Sequence, residues 1–297
     1  MGDWLFMIDQ KALGILFGMA AGAMWAVEAV LGKILLSSLN FLQVTASEAF
    51  FTAITAFAYI LLSRKPVKIK SQCLKDVLLV GFLGTVIAPL AYFFGLTQTS
   101  AVNATLLAHL QPLFVSIFGF FFLKERIHRY DVMGGVTIGL AVILITGRTP
   151  DNIMNLKLGN MGDLAVLLAT LGWAFVAIPG KRLTKQTSSI LIVGYRFLVA
   201  SIFFFPLLLF LNQLIIKSIY QILLGVIVGL GYIFYYEGLK RIKASQVALT
   251  ELSSPFFAAA LAWIILGERM TVMQVIGALL LIMGLTALTR RSSDLIP

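Results

Sequence analysis

Charge is what this chain has least of. Only 12% of its 297 residues are Asp, Glu, Lys or Arg, about half the share of an ordinary soluble domain. Meanwhile 60% are hydrophobic and the mean hydropathy is +0.97. One water-soluble core cannot hide that much apolar surface, because buried area grows too slowly with chain length. A soluble enzyme and a disordered chain are therefore excluded. The single Cys73 can form no internal disulfide, which excludes a disulfide scaffold. Cys73 and two histidines, His109 and His128, supply too few ligands for a metal site. The chain has no His-Glu-x-x-His run, no Gly-x-x-x-x-Gly-Lys loop for a nucleotide-driven pump and no Gly-x-Ser-x-Gly elbow. No cofactor is expected. Nor is nucleic acid a partner: the net charge is +10, but no polar segment interleaves Lys and Arg with exposed aromatics.

Long apolar runs are what the chain does have, and they specify an all-α integral membrane protein. Crossing the hydrocarbon takes roughly 20 apolar residues per helix. Ten stretches qualify: 12–36, 40–63, 74–98, 101–123, 130–147, 161–180, 187–212, 218–239, 244–266 and 270–289, here numbered spans 1 to 10. They lack the alternation of barrel strands. Asp3 and Asp9 replace the basic start of a cleaved signal peptide, and the first run is long enough to span.

The connections carry an orientation. With a cytoplasmic N-terminus, the inner segments hold seventeen Lys and Arg: Lys11, Arg64, Lys65, Lys68, Lys70, Lys75, Lys124, Arg126, Arg129, Lys181, Arg182, Lys185, Lys240, Arg241, Lys243, Arg290 and Arg291. The outer segments hold four: Arg148, Lys157, Lys217 and Arg269. Basic residues collect on the cytoplasmic side, so both termini are expected in the cytoplasm.

The two halves resemble each other. Trp25-Ala-Val-Glu-Ala-Val-Leu-Gly-Lys33 aligns with Trp173-Ala-Phe-Val-Ala-Ile-Pro-Gly-Lys181, 148 residues on. Tyr92-Phe-Phe-Gly-Leu96 aligns with Tyr235-Tyr-Glu-Gly-Leu239, 143 residues on, and Pro112, Glu125-Arg126 and Gly134 fall on Pro255, Glu268-Arg269 and Gly277. The reading is two repeats of five spans each, 1–150 and 158–291, in one bundle. An odd span number inverts the second copy, and the loop charges swap sides accordingly. Inverted repeats mark secondary transporters, with the substrate near the midplane between them.

The pattern Pro112…Leu123-Lys-Glu125-Arg126…Gly134, repeated as Pro255…Leu266-Gly-Glu268-Arg269…Gly277, resembles the EamA-type members of the drug/metabolite transporter superfamily over nearly the whole chain. That resemblance implies a ten-helix carrier of the bacterial or archaeal inner membrane that moves amino acids, metabolites or drugs, often outward. The chain departs from the family at Glu48, where an Arg often stands; the span 7 Arg is present as Arg196.

Ionisable residues at membrane depth are costly and usually functional or paired. Here they are Glu28, Glu48, His109, Arg196 and Glu251. Glu48 and Arg196 are equivalent under the 148 offset and lie at similar depth, which suggests a structural ion pair. Glu125 and Glu268 end spans 4 and 9, where a carboxylate can accept backbone N–H bonds of a helix-to-helix turn. Spans 4 and 9 hold most of the polar interior, with Asn103, Thr105, His109 and Gln111 in one and Gln246, Thr250, Ser253 and Ser254 in the other. Each then meets a proline, Pro112 or Pro255, which weakens the helix. Paired breaks in corresponding positions point to a binding site. Trp25, Tyr92, Trp173, Tyr232 and Tyr235 add aromatic walls. The expected substrate site combines these rings with Glu28, Asn103, His109, Gln246, Thr250, Glu251 and Ser254. Glu251 has Ala108 as its counterpart. That asymmetry marks it, with His109, as a coupling candidate: a neutral carboxyl could exchange a proton for substrate, and an ionised one could hold an amine. The partners expected are a small solute, the bilayer and protons; no feature assigns an oligomeric state. A small-solute channel and an intramembrane enzyme are the alternative functions.

Single cysteines placed in the 63–73 and 213–217 loops test the inversion in whole cells. An impermeant thiol reagent added outside should reach the second loop and not the first. Labelling of both from one side contradicts the inverted reading.

Overall fold

The computed structural model describes residues 10–64, 66–123, 129–242, 247 and 250–294. Gln246 and Glu125 lie outside the described residues, as do Lys65, Lys124, Arg126 and Lys243 of the charge comparison. Among the described residues the structure is helical throughout, without strands. The helices are α1 (Gln10–Leu35), α2 (Phe41–Leu62), α3 (Leu74–Gly81), α4 (Ala88–Gln98), α5 (Ala101–Ala108), α6 (Gln111–Leu123), α7 (Arg129–Gly147), α8 (Pro150–Met154), α9 (Met161–Thr184), α10 (Ser189–Phe210), α11 (Ile219–Arg241), α12 (Ser254–Leu266) and α13 (Val272–Asp294). A wide π-turn, Phe82–Ile87, joins α3 to α4, so Ser71–Gln98 runs as one segment. Six helical segments are long and apolar enough to cross a membrane: Gln10–Leu35, Phe41–Leu62, Ser71–Gln98, Met161–Thr184, Ser189–Phe210 and Ile219–Arg241. Shorter apolar helices cover Ala101–Val115, Val132–Gly147, Ser254–Leu266 and Val272–Ala287.

Helix starts follow from local capping chemistry. Asn40 with Gln43, Asn160 with Asp163 and Ser218 with Gln221 form capping boxes ahead of α2, α9 and α11, satisfying amide groups that have no partner within the helix. At the other end of α12, Gly267 adopts φ 69°, a left-handed conformation that costs glycine little. Spans 4 and 9 are broken. α5 stops at Ala108 and α6 restarts at Gln111, with Pro112 in its first turn. α12 starts at Ser254 with Pro255 in its first turn, after a turn at Leu252 and Ser253. Proline fits there because a first-turn amide has no partner inside the helix.

The packing pairs come in mates when spans 1–5 are aligned with spans 6–10. α1 packs on α11 as α9 packs on α4; α2 packs on α11 as α10 packs on α3; α1 packs on α12 as α9 packs on α6. α2 with α10 and α7 with α13 are their own mates. The outer surface is apolar, with Leu62 85% and Phe210 83% exposed, as a lipid-facing belt requires. The Gly-x-x-x-Gly pairs Gly18/Gly22, Gly135/Gly139 and Gly225/Gly229, a spacing that lets helices approach closely, behave differently from one another. Gly225 lets α11 touch α2: a Cβ there would lie 2.6 Å from the Phe51 carbonyl carbon and 2.7 Å from the Thr52 nitrogen. Thr52 Oγ1 also donates to Gly225 O at 2.9 Å. A Cβ on Gly18 or Gly22 would strike Thr250 or Ser253. Gly135 and Gly139 share the spacing, yet a Cβ on either meets nothing within 4 Å, so that pair is no packing seam within the bundle.

Gly225→Ala should therefore lower the melting temperature of the detergent-purified protein, by overpacking worth about 1–3 kcal/mol. Gly135→Ala should leave it unchanged or raised, since alanine suits a helix better by roughly 0.5–1 kcal/mol. Equal losses in both would contradict this assignment.

Candidate functional site

Two helix breaks set up the centre of the bundle. At the first, the His109 amide returns to Thr105 O at 3.2 Å, and its ring Nδ1 lies 2.7 Å from that same oxygen. His109 and Glu251, at the second break, line the same space. Trp25 Nε1 of α1 donates to Glu251 Oε1 at 2.9 Å. A cavity of about 220 Å³ opens here, lined from both halves of the chain.

Of the residues expected at the site, Trp25, Glu28, Tyr92, His109, Trp173, Tyr232, Tyr235 and Glu251 line this cavity. Trp25 meets Tyr232 edge-on at 4.8 Å and Tyr92 meets Trp173 at 5.4 Å between centroids, so the rings form two walls. Thr105, whose Oγ1 donates to Ala101 O at 2.8 Å, also lines the space. Three expected residues lie elsewhere. Asn103 is fully buried, but its Nδ2 donates to Thr99 Oγ1 at 3.1 Å and to Asp163 Oδ1 at 2.5 Å. Arg148 joins that cluster through Thr99 Oγ1 at 2.8 Å, and Gln274 donates to Asn103 Oδ1 at 3.3 Å. Asn103 thus ties helix ends together. Thr250 donates to Val247 O at 2.7 Å, on the face packed against Gly18. Ser254 is buried with no hydrogen-bond partner for its Oγ, and is not among the lining residues.

Glu48 and Arg196 both line the cavity, but they are not ion-paired there. Arg196 is 2% exposed and its donors go elsewhere: Nε to Thr85 Oγ1 at 2.8 Å, Nη1 to the Tyr236 hydroxyl at 3.0 Å and Nη2 to Gly84 O at 2.9 Å. Its guanidinium lies 4.0 Å from the Tyr232 ring centroid. The reason lies in the π-turn. The Ala88 amide bonds Leu83 O, so in that register the next carbonyl, Gly84 O, falls to residue 89. Residue 89 is proline, which has no N–H. Gly84 O takes Arg196 and also Trp173 Nε1, at 3.2 Å. Glu48, 3% exposed, keeps an Oε2 with no partner. It and Glu28 act on each other electrostatically. Glu48, Arg196 and Tyr236 thus line the cavity without having been expected to bind solute, and Pro89 was the available signal for the freed Gly84 carbonyl that holds Arg196.

Glu268 accepts the Ala101 and Val102 amides at 3.2 and 3.3 Å, so it caps α5 in the other half of the chain. Lys33 Nζ donates to Leu96 O at 2.7 Å and Thr99 O at 2.5 Å. Lys181, its counterpart, donates to Leu239 O and Ile242 O, the counterparts of those two residues. Glu237, at the end of α11, binds Ser189, Lys240 and Arg241.

Comparison with known proteins places this architecture. The EamA-like transporter family matches residues 12–147 and again 160–290. An uncharacterized transporter of Methanothermobacter thermautotrophicus is 30% identical over 295 residues, covering 93% of this chain and 85% of that one. The pseudopaline exporter CntI of Pseudomonas aeruginosa is 26% identical over 243 residues, covering 80% and 82%. A solved crystal structure shares the fold with a TM-score of 0.66 at 18% identity, covering 96% of this chain and 99% of its own.

The Arg196 network makes an asymmetric prediction for stability. Arg196→Met takes the donor from Thr85 Oγ1 and from the Tyr236 hydroxyl, and one of two donors from Gly84 O, at about 1–3 kcal/mol per buried group left unpaired, and should lower the melting temperature. Glu48→Gln removes a carboxylate with an unpartnered oxygen and should not. Equal losses in the two variants would point back to an ion pair between them.

Proposed function

We infer that this chain is a secondary carrier for a small solute, proceeding from the fact that it belongs to the EamA-like transporter family. It is a multi-pass membrane transporter and not an enzyme. In the finer reading, ten spans form two inverted five-helix repeats, with both termini in the cytoplasm and the bundle in the cytoplasmic membrane. The mated packing pairs and the matching reach of Lys33 and Lys181 support the repeats. The unequal loop charges support the orientation.

One observation carries the mechanism: the cavity lies where the broken helices of the two halves meet. Discontinuous helices at a repeat interface are where carriers bind substrate. Rocking one half against the other about that point would expose the site to each side in turn. The volume of about 220 Å³ lies below the roughly 300–1,000 Å³ of drug-sized pockets, which favours a metabolite such as an amino acid or amine. The likeness to an exporter favours outward flux. Glu251 and His109, which line the cavity at the two breaks, are the groups proposed to exchange a proton for solute.

Reconstitution into liposomes tests this reading. Counterflow screened across amino acids, amines, nucleosides and drugs should find a solute whose uptake is accelerated by the same solute inside. Uptake without acceleration would indicate a channel. Glu251→Gln should abolish net proton-driven flux and retain exchange; unaltered net flux would remove Glu251 from coupling.

A further inference from the structure

The cavity is unequally charged. Three carboxyl groups, Glu28, Glu48 and Glu251, line it against one guanidinium, Arg196. Glu251 already accepts the Trp25 indole N–H. Arg196 has three of its donor atoms committed to Thr85, Tyr236 and Gly84, which leaves two of its five N–H groups for anything else. Glu48 is in the opposite position: it is buried, yet its Oε2 has no donor. Glu28, the carboxyl that acts on it electrostatically, lines the same cavity. A buried carboxylate oxygen without a donor is a group waiting for one.

We propose that Glu48 and Glu28 form an ammonium subsite, and that the solute carried is an organic cation whose apolar part lies against the aromatic walls. An ammonium brings three donors and one positive charge. It would give Oε2 its missing hydrogen bond and separate two carboxyl groups that otherwise repel. A carboxylate head would meet three carboxyl groups and one guanidinium, three of whose five N–H groups are already committed. A divalent metal fits less well, because among the described residues no group of three His, Cys, Asp or Glu side chains could hold one. The indole and phenol rings favour an organic occupant, since aromatic faces attract ammonium groups. The inference rests on the carrier reading only in taking the cavity as a solute site.

Three probes of one shape and different charge separate the possibilities: phenethylamine, phenylalanine and 3-phenylpropionate. Each is titrated into the full-length purified protein, reading tryptophan emission and melting temperature. Phenethylamine should shift both. 3-Phenylpropionate should bind at least about tenfold more weakly, because it lacks the charge-assisted bond. Glu48→Gln should weaken phenethylamine by about tenfold or more, with Glu48→Asp recovering part of the loss. Thr286→Ala, in α13 and outside the cavity lining, serves as a control and should bind phenethylamine like the parent. No response to phenethylamine, tighter binding of 3-phenylpropionate, or full affinity in a folded Glu48→Gln protein would each overturn the subsite. The same probes are run in liposome counterflow to keep the two claims apart. Transport of the anion alone would overturn the subsite and leave the carrier standing. Binding of the amine with no counterflow of any probe would leave the subsite standing and count against the carrier.

Discussion

A helix that ends inside hydrocarbon must find partners for its last backbone groups, because no water is there to take them. Much of the polar chemistry of this chain is devoted to that requirement. Lys33 holds the terminal carbonyls near Leu96 and Thr99, and Lys181 does the same near Leu239 and Ile242. Glu268 takes the first amides of α5. Asp163 gathers Thr99, Asn103 and Arg148 around the same helix end. These contacts join spans distant in sequence. They close the ends of spans, while the breaks after Ala108 and before Ser254 lie deeper in the bundle, where the cavity opens.

The same requirement explains the least expected feature of the site. Gly84 O loses its partner to Pro89, and two side chains from the second half converge on it, Arg196 and Trp173. Arg196 therefore serves a backbone carbonyl before it serves a ligand or a counter-ion. Glu48 is left to face Glu28, and the acidic character of the cavity follows.

Much of this was legible in the sequence, because membrane proteins write their topology in hydropathy and their symmetry in repeated motifs. Pro112 and Pro255 announced the breaks, since proline removes an amide wherever it stands. The aromatic lining was legible because Trp25 and Trp173 sit at corresponding positions of aligned motifs. Asn103 was not: a polar residue one turn into a span reads alike whether it faces a cavity or ties down a helix end, and only Asp163, 60 residues on, decides. The depth argument for Glu48 and Arg196 was sound, but depth does not fix direction, and a side chain as long as arginine reaches whichever acceptor is less well satisfied. Gly135 and Gly139 show the converse limit, a packing motif with nothing packed on it.

If the chain is a carrier, the cavity built by both halves is its transport path. Ala177 lines it without bonding to anything polar that the site needs. In a Cys73→Ser background, Ala177→Cys can be exposed to an impermeant thiol reagent from one side and then the other of oriented proteoliposomes, while counterflow is followed. The cysteine should be modified from each side, in proportions shifted by substrate, and modification should stop transport. A cysteine modified from one side only whatever the substrate, or one whose modification leaves counterflow intact, would contradict it.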